Sequence, residues 1–189
     1  MKRIAIFASG SGSNAENIIN YFEKVEKVEV CLIISNKSDA FVFQRAKRLG
    51  IPFLHITRKQ FYKSDDVISI LKSLSVDLIV LAGFLWLVPS SLVESFPKRI
   101  VNVHPALLPK YGGKGMYGNH VHTAVKENRE TETGITIHYV NDAYDEGAII
   151  FQTKVGLSSD DQVEDIVTKI HKLEFEYFPN VIHGVLKKL

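Results

Sequence analysis

The sequence has little cysteine and little net charge. Its only cysteine, Cys31, excludes a disulfide framework, and because the thiol lies in the apolar run VEVCLII we expect it to be buried rather than reactive. Lysine and arginine outnumber aspartate and glutamate by only 23 to 21, and these charges are dispersed along the chain. No nucleic-acid partner is therefore expected, and anionic ligands must be bound locally.

Long apolar runs are also missing. No segment approaches the roughly 20 apolar residues of a membrane span, and the stretch MKRIAIFASG has an apolar run too short for a signal peptide. We therefore expect a cytoplasmic chain with no membrane partner. Hydrophobic residues still make up 46% of the 189 positions. At roughly 100 to 200 residues per domain, we predict a single domain over residues 1–189.

Short apolar runs alternate with longer amphipathic stretches, a rhythm typical of parallel strands joined by helices. Five continuous apolar runs predict parallel strands covered on both faces: RIAIFA, VEVCLII, IPFLHI, DLIVLA and RIVNV. Two further runs, TGITIHYV and AIIFQTKV, are separated only by NDAYDEG and should be antiparallel neighbours. The predicted fold is a Rossmann-like α/β domain with a mostly parallel sheet, antiparallel C-terminal strands and flanking helices.

Helices are expected to begin near four positions: Asn14, Asp39, Ser64 and Pro89. Asp39 is a plausible N-cap. The longest helical pattern covers residues 160–189, and Pro179 should kink it. Its apolar stripe is formed by Val163, Val167, Ile170, Tyr177, Val181 and Val185. Glu174 falls on the same stripe, and since a carboxylate facing a core is costly unless paired, it requires either a structural partner or a polar ligand.

The segment FASGSGSNAENII joins the first strand to the first helix. Gly10, Gly12 and Ala15 match the dinucleotide-binding pattern G-x-G-x-x-G/A. A nicotinamide site would also need an acidic residue after the second strand, where this chain has Ser35 and Asn36. We therefore favour a single phosphate bound at the positive end of the helix. Its contacts would come from Ser11, Gly12, Ser13 and Asn14. The alternative is a simple turn whose helix is capped by Asn14.

Two polar side chains end the fifth predicted strand. Asn102 and His104 are two apart and so share one face, and Pro105 and Pro109 prevent a helix from following directly. Ligands of open α/β sheets bind just beyond the carboxyl ends of strands. The pair is therefore a candidate catalytic site, the alternative being a hydrogen-bonded core histidine beside a turn asparagine.

The loop VNDAYDEG offers three carboxylates, Asp142, Asp145 and Glu146, one of which could pair with His104 and hold its tautomer. Such loop carboxylates are otherwise ordinary solvated turn residues. An asparagine can donate to an oxyanion and a histidine can move a proton at a tetrahedral centre, so this set suits acyl-group transfer. No serine or cysteine stands between them, which favours direct attack by a substrate amine over a covalent acyl-enzyme.

Six segments in one order carry a resemblance over nearly the whole chain: SGSGSN, SNK, LAGF, NVHPALLPK, GITIHYV and YDEGAII. Together they resemble the phosphoribosylglycinamide formyltransferase family. The resemblance implies transfer of the formyl group of 10-formyltetrahydrofolate to the amine of 5'-phosphoribosylglycinamide in de novo purine biosynthesis. It also implies that Asn102, His104 and Asp145 are catalytic, with Asn102 holding the oxyanion, His104 assisting proton transfer and Asp145 orienting His104.

The resemblance further implies the ligand contacts. Phosphate contacts fall on Gly12, Ser13 and Asn14, and the ribose contact falls on Glu174. Folate contacts fall on two loops, at Gly83, Phe84, Leu85, Trp86, Leu87 and Val88, and at Val140, Asn141 and Asp142. Residues 1–100 would then form a phosphate-binding half, and residues 101–189 a catalytic and folate-binding half. The protein would be a monomer or a homodimer.

Two segments depart from the family's pattern. The family often has arginine within GFMRIL, whereas this chain reads GFLWLV with Trp86, which would stack on the pterin or pack into the core but cannot supply a guanidinium contact. The residues after LLPK form a longer glycine-rich loop over 112–119, either a lid that brings Lys114 and Tyr117 near substrate or a surface loop. His120 and His122 in HVH have no third ligand at useful spacing, so no metal is expected.

Four alternative functions can be compared with this sequence. A methionyl-tRNA formyltransferase would carry a further C-terminal domain and need a more basic surface, and a formyltetrahydrofolate deformylase would carry an N-terminal regulatory domain; we expect neither here. A nicotinamide oxidoreductase would need the missing acidic residue. A noncatalytic nucleotide-binding module would leave Asn102, His104 and Asp145 unexplained.

Overall fold

Strands and helices alternate along most of the chain in the computed structural model, which describes residues 1–189. The strands are β1 Lys2–Phe7, β2 Val28–Ser35, β3 Phe53–His55, β4 Leu78–Leu81, β5 Ile100–His104, β6 Glu132–Tyr139 and β7 Ile149–Gly156. The helices are α1 Ser13–Phe22, α2 Val42–Arg48, α3 Arg58–Tyr62, α4 Asp66–Ser73, α5 Ser90–Ser95, α6 Asn119–Glu127 and α7 Val163–Leu186. None of these helices is long and apolar enough to cross a membrane.

All seven strands form one sheet, in the order β3-β2-β1-β4-β5-β6-β7. The first five in the chain are parallel, whereas β6 pairs antiparallel with β5 and β7 pairs antiparallel with β6. The predicted fold class is confirmed. The strand order reverses between β1 and β4, and the carboxyl ends of strands at such a point form the crevice where α/β proteins bind ligands.

Helices cover both faces of the sheet and create two cores. Alternate residues of β1 divide between them, with Ile4 and Ile6 in a core of 26 buried residues under α1, α2, α6 and α7. Ala5 and Phe7 lie in a second core of 17 buried residues under α3, α4 and α5. This burial on both sides explains why β1, β2, β4 and β5 read as continuous apolar runs. The prediction is wrong for β3, which lies at the edge of the sheet with Phe53 and His55 exposed.

The start of α2 differs from the prediction. Asp39 is exposed and caps nothing, and the helix begins at Val42 with Phe41 in the N-cap position. The backbone N–H of Val42 donates to the Gly10 carbonyl at 3.1 Å. The start of α2 is therefore hydrogen-bonded to the backbone of the glycine loop and is not capped by a side chain.

Helix α7 runs continuously through Pro179, so the proline does not end it. The phase of its buried stripe was predicted only in part. Ile170 and Val185 are buried as expected, but the other predicted positions are half-buried, and the stripe is completed by Ile166, Phe178, Ile182 and Leu186. Glu174 is buried within this stripe, 6% exposed, as the sequence indicated.

Candidate active site

Two adjoining cavities lie at the carboxyl ends of β1, β4 and β5. The larger has a volume of about 640 Å³ and the smaller about 230 Å³. Four residues line both: Gly10, Gly83, Val103 and Gly118. Since three of the four are glycines, the boundary between the cavities consists mainly of backbone. Residues from both halves of the sequence, before and after residue 100, line each cavity.

Asn102 and His104 point into the larger cavity from the end of β5, as predicted from their spacing. His104 is only 3% exposed. Its Nδ1 lies 3.5 Å from the carboxylate of Asp145, and its Nε2 lies 2.7 Å from the carbonyl oxygen of Tyr111. Because a carbonyl can only accept, Nε2 carries a proton. A second proton on Nδ1 would face the carboxylate, so this environment accommodates the imidazolium.

Asp145 is enclosed by hydrogen-bond donors and imidazoles. It is the loop carboxylate that reaches His104, and the backbone N–H of Gly113 donates to its other oxygen at 3.0 Å. Burial by itself would raise the pKa of Asp145, but His104 and the Gly113 N–H lower it well below its ordinary value. The carboxylate is therefore ionised at neutral pH and stabilises positive charge on the neighbouring imidazole.

His138 is a site residue that the sequence reasoning missed. Its Nδ1 donates to the Tyr139 carbonyl at 2.8 Å, so in the neutral ring Nε2 is an acceptor. The amide nitrogen of Asn102 lies 3.1 Å from this Nε2 and donates to it. His138 thereby fixes the orientation of the Asn102 amide. The pairing of β5 with β6, which sets Asn102 opposite His138, is the signal that could have identified it.

The loop after β5 is held by a buried threonine. Thr136 accepts a hydrogen bond from the Leu108 N–H at 3.0 Å and donates to the Ala106 carbonyl at 2.7 Å. Gln152 donates to both the Leu108 carbonyl and the Thr136 hydroxyl. These bonds fix the course of the chain between the two prolines that follow His104.

The smaller cavity lies at the N-terminus of α1. It is lined by the glycine loop, by the residues that follow β4, by parts of β5 and α6, and by two residues of α7. No side chain caps α1, and Asn14 instead donates its amide to the Glu174 carboxylate at 2.8 Å. The alternative in which Asn14 caps the helix is therefore wrong, and the first backbone N–H groups of α1 remain available to a ligand.

Gly12 is required by the geometry of this loop. Its φ is 74°, in the left-handed region, and a Cβ there would overlap the side chain of Val42. Arg45 fastens the loop from the other side, because its Nε donates to the Ser11 carbonyl at 2.8 Å. Gly12, Ser13 and Asn14 all line the cavity, as does Glu174.

Glu174 is a buried carboxylate in a wall of this cavity. Its burial raises its pKa above the ordinary glutamate value, although the Asn14 amide and nearby histidines oppose the shift. The oxygen atom of the Asn14 amide is buried and has no hydrogen-bond partner. The cavity therefore presents two polar groups whose bonding capacity is incompletely used, a carboxyl and an amide oxygen.

The larger cavity contains most of the predicted folate residues. Seven of them line it: Gly83, Phe84, Leu85, Trp86, Leu87, Val88 and Val140. Asn141 and Asp142 are exposed and do not line it, and their neighbours Ala143 and Tyr144 do so instead. The apolar side chains of this set suit a planar aromatic ligand more than a small polar one.

Trp86 packs against other aromatic rings at the edge of the larger cavity. It lies 5.7 Å from Phe61 and 5.9 Å from Tyr62, measured between ring centroids. The guanidinium of Arg58 lies over its ring at 5.5 Å. Trp86 thus joins an aromatic cluster, and a guanidinium from α3 lies beside the position where the family often has arginine.

The glycine-rich segment after β5 lies against the site. Lys114 and Tyr117 both line the larger cavity, together with the residues between them. The segment then enters α6, a helix that the sequence analysis did not predict, which carries His120 and His122. His120 is exposed, and His122 is buried beside the smaller cavity. No group of three or more His, Cys, Asp or Glu side chains is placed to hold a metal ion.

The family model described as formyl transferase matches residues 2–182. A phosphoribosylglycinamide formyltransferase of Haemophilus influenzae is 37% identical over 187 residues, which cover 96% of this chain and 86% of that protein. A chloroplastic phosphoribosylglycinamide formyltransferase of Arabidopsis thaliana is 37% identical over 99% of this chain, which spans 66% of the plant protein. The crystal structure of phosphoribosylglycinamide formyltransferase from Bacillus halodurans, 38% identical, superposes with a TM-score of 0.88 and covers 99% of this chain and 96% of that one.

The chain therefore belongs to the formyl transferase family, and its fold is that of these transferases. Within that family it falls among the phosphoribosylglycinamide formyltransferases, which transfer formyl groups in purine biosynthesis. The resemblance inferred from the six sequence segments is confirmed.

Proposed function

We propose that this enzyme transfers the formyl group of 10-formyltetrahydrofolate to the amine of 5'-phosphoribosylglycinamide. The observation that carries the proposal is the placement of Asn102 and His104 in an apolar cavity that adjoins a polar cavity at a helix N-terminus. A planar formyl donor suits the first cavity and a phosphorylated amine suits the second. The reacting groups would then meet where the cavities share the backbone of Gly83 and Val103.

The reaction forms one bond and breaks another. The substrate amine attacks the formyl carbon, and the carbonyl oxygen becomes an oxyanion that accepts a hydrogen bond from the free N–H of Asn102. The new carbon–nitrogen bond persists while the bond from the formyl carbon to N10 of the folate breaks. His104 assists transfer of the amine proton to N10.

The neighbours of His104 define its share in this step. Asp145, ionised and 3.5 Å from Nδ1, stabilises the imidazolium that forms during proton transfer. In the structure without substrate, Nε2 of His104 is hydrogen-bonded to the Tyr111 carbonyl. That hydrogen bond must break when Nε2 takes part in proton transfer. His138 keeps the Asn102 amide oriented toward the oxyanion throughout.

The smaller cavity would bind the ribose phosphate. The phosphate would accept hydrogen bonds from the backbone N–H groups of Gly12, Ser13 and Asn14, where the helix dipole favours an anion. Glu174 would accept from a ribose hydroxyl. The folate would lie against the loop from Gly83 to Val88 and beside Val140. We further propose that the protein acts in the cytoplasm on these small-molecule substrates, as a monomer or homodimer with one domain over residues 1–189.

The proposal is tested by following loss of 10-formyltetrahydrofolate by absorbance, with and without 5'-phosphoribosylglycinamide. We expect consumption only when the ribonucleotide is present, because the amine is the acceptor. Equal consumption without it would identify water as the acceptor and make the enzyme a deformylase. His104→Ala should reduce turnover by a factor of about 100 or more while ribonucleotide binding persists, and unchanged turnover would contradict the assigned role of His104.

A further inference from the structure

One side chain beside the smaller cavity has no hydrogen bond in the structure. His122 lies in the first turn of α6, is 4% exposed and lines the cavity that also contains Glu174 and the N-terminus of α1. Its Nδ1 is fully enclosed and has no partner. Nε2 is not enclosed in this way, so it is the ring nitrogen that remains open to the cavity.

This placement determines where the proton of His122 lies. A neutral imidazole carries one N–H and one lone pair, and an N–H buried without an acceptor is rarer in proteins than an unpaired acceptor. The proton therefore resides on Nε2, facing the polar cavity. Burial lowers the pKa of His122 to about 4, with His171 and His104 adding to the effect, so the ring is neutral at physiological pH and offers a single hydrogen-bond donor.

The other polar groups of the cavity divide by bonding type. Glu174 and the free amide oxygen of Asn14 accept hydrogen bonds and would bind sugar hydroxyls. The backbone N–H groups at the start of α1 donate, and they attract an anion. The N–H of His122, held in place by burial in α6, adds a side-chain donor to these backbone donors in the same cavity.

We propose that His122 is a substrate-binding residue whose neutral Nε2–H donates a hydrogen bond to the phosphate of a phosphorylated ribose in the smaller cavity. The proposal deepens the function proposed above, on which the identity of the full substrate rests. His122 acts as a donor and not as a cation, so its contribution does not need an acidic medium. It sets the affinity for the ribonucleotide and takes no part in moving protons.

Three substitutions of His122 distinguish a hydrogen bond made by Nε2 from one made by Nδ1. Glutamine places its amide N–H near the position of Nε2, asparagine places its own near Nδ1, and leucine supplies neither. We expect His122→Leu and His122→Asn to raise KM for 5'-phosphoribosylglycinamide about 10-fold or more, because each removes one hydrogen bond to a charged group. His122→Gln should stay within about 3-fold of the unsubstituted enzyme. The value of kcat and the KM for the folate should change little in all three.

The matched control is His120→Leu, because His120 lies exposed on the same helix and lines neither cavity. It should leave KM for the ribonucleotide unchanged. An unchanged KM in His122→Leu, or rescue by asparagine rather than glutamine, would overturn the proposal.

A second measurement does not depend on formyl transfer. Ribose 5-phosphate added to the ¹⁵N-histidine-labelled protein should shift the Nε2 resonance of His122, with Nδ1 remaining unprotonated, and should bind His122→Leu more weakly. If this holds while the ribonucleotide supports no turnover, the proposed function fails and the role of His122 stands. Absence of any shift, or a protonated Nδ1, would exclude the role of His122 even in an active enzyme.

Discussion

Glu174 shows at the residue scale how a binding group can cost stability. The carboxyl is buried in α7 and receives one side-chain hydrogen bond, from Asn14. Burial raises its pKa in the folded protein, so folding disfavours its ionised form. Between the ordinary glutamate pKa of 4.5 and the higher folded value, the folded state holds more proton than the unfolded state, and stability is lost as the pH rises.

Glu174→Gln should therefore raise the melting temperature at pH 8 and leave it nearly unchanged at pH 4, where both forms are neutral. The amide oxygen can still accept from Asn14, and a gain of about 1 kcal/mol would raise the midpoint by about 2–4 °C in a chain of this size. Calorimetry across this pH range measures the difference. Glu176→Gln, exposed on the same helix, should show no such trend, and a lower midpoint for Glu174→Gln at pH 8 would indicate that the carboxylate is stabilised when ionised.

The residues of the site were predictable to the extent that they follow from local periodicity. Asn102 and His104 share a face because strand side chains alternate, and that rule needs no tertiary information. His138 obeys the same rule on β6, yet its role depends on the register that sets it opposite Asn102. Register is a property of two strands together, which is why the sequence of either one did not reveal it.

The glycine loop acts at the scale of an element, because it determines where α1 and α2 begin. Gly12→Ala should destabilise the protein by about 1–3 kcal/mol, since alanine is strained at φ 74° and its Cβ would overlap Val42. The displaced loop should also weaken ribonucleotide binding. Urea denaturation followed by circular dichroism measures the change in stability.

Gly10→Ala is the matched control for this substitution. Gly10 lies two residues away in the same loop, its φ is not in the left-handed region, and a Cβ there would meet no atom within 4 Å. The free energy of unfolding of the Gly10→Ala variant should stay within about 0.5 kcal/mol of that of the unsubstituted protein. Equal losses at the two positions would mean that flexibility of the loop, rather than the geometry of Gly12, controls its stability.

Elements with strong periodicity were predicted, and those without it were not. Four of the five apolar runs became β1, β2, β4 and β5, since burial on both faces leaves an unambiguous apolar pattern, and the fifth became the exposed edge strand β3. Helix α6 was missed because it follows a glycine-rich segment and begins with polar residues at Asn119 and His120. The buried stripe of α7 was only partly predicted, because packing against α1 and β6 selects which of two adjacent apolar rows faces inward.

At the scale of the whole molecule, strands β1, β2, β4 and β5 form a wall common to both cores, because their alternate residues face opposite sides. Unfolding one core would expose the other, so we expect a single cooperative transition in urea. Trp86, the only tryptophan, reports on the core under α3, whereas most of the helical circular dichroism comes from α1, α2, α6 and α7 on the opposite face.

The fluorescence and circular dichroism midpoints should therefore coincide. A fluorescence change at lower urea would show that the loop around Trp86 opens before the sheet. Trp86→Phe provides the control, because its circular dichroism transition should retain the same slope if the aromatic cluster is not a separate folding unit.

Cys31 gives the molecule a practical property. The thiol is 7% exposed, donates to the Ile4 carbonyl, and has its pKa raised by burial. Reagents that need an accessible thiolate should react with it slowly. The natural chain thus already behaves like a cysteine-free background, and a cysteine introduced at an exposed position of the segment 112–119 would be a unique attachment point for a fluorophore or spin label that reports how this segment moves when substrate binds.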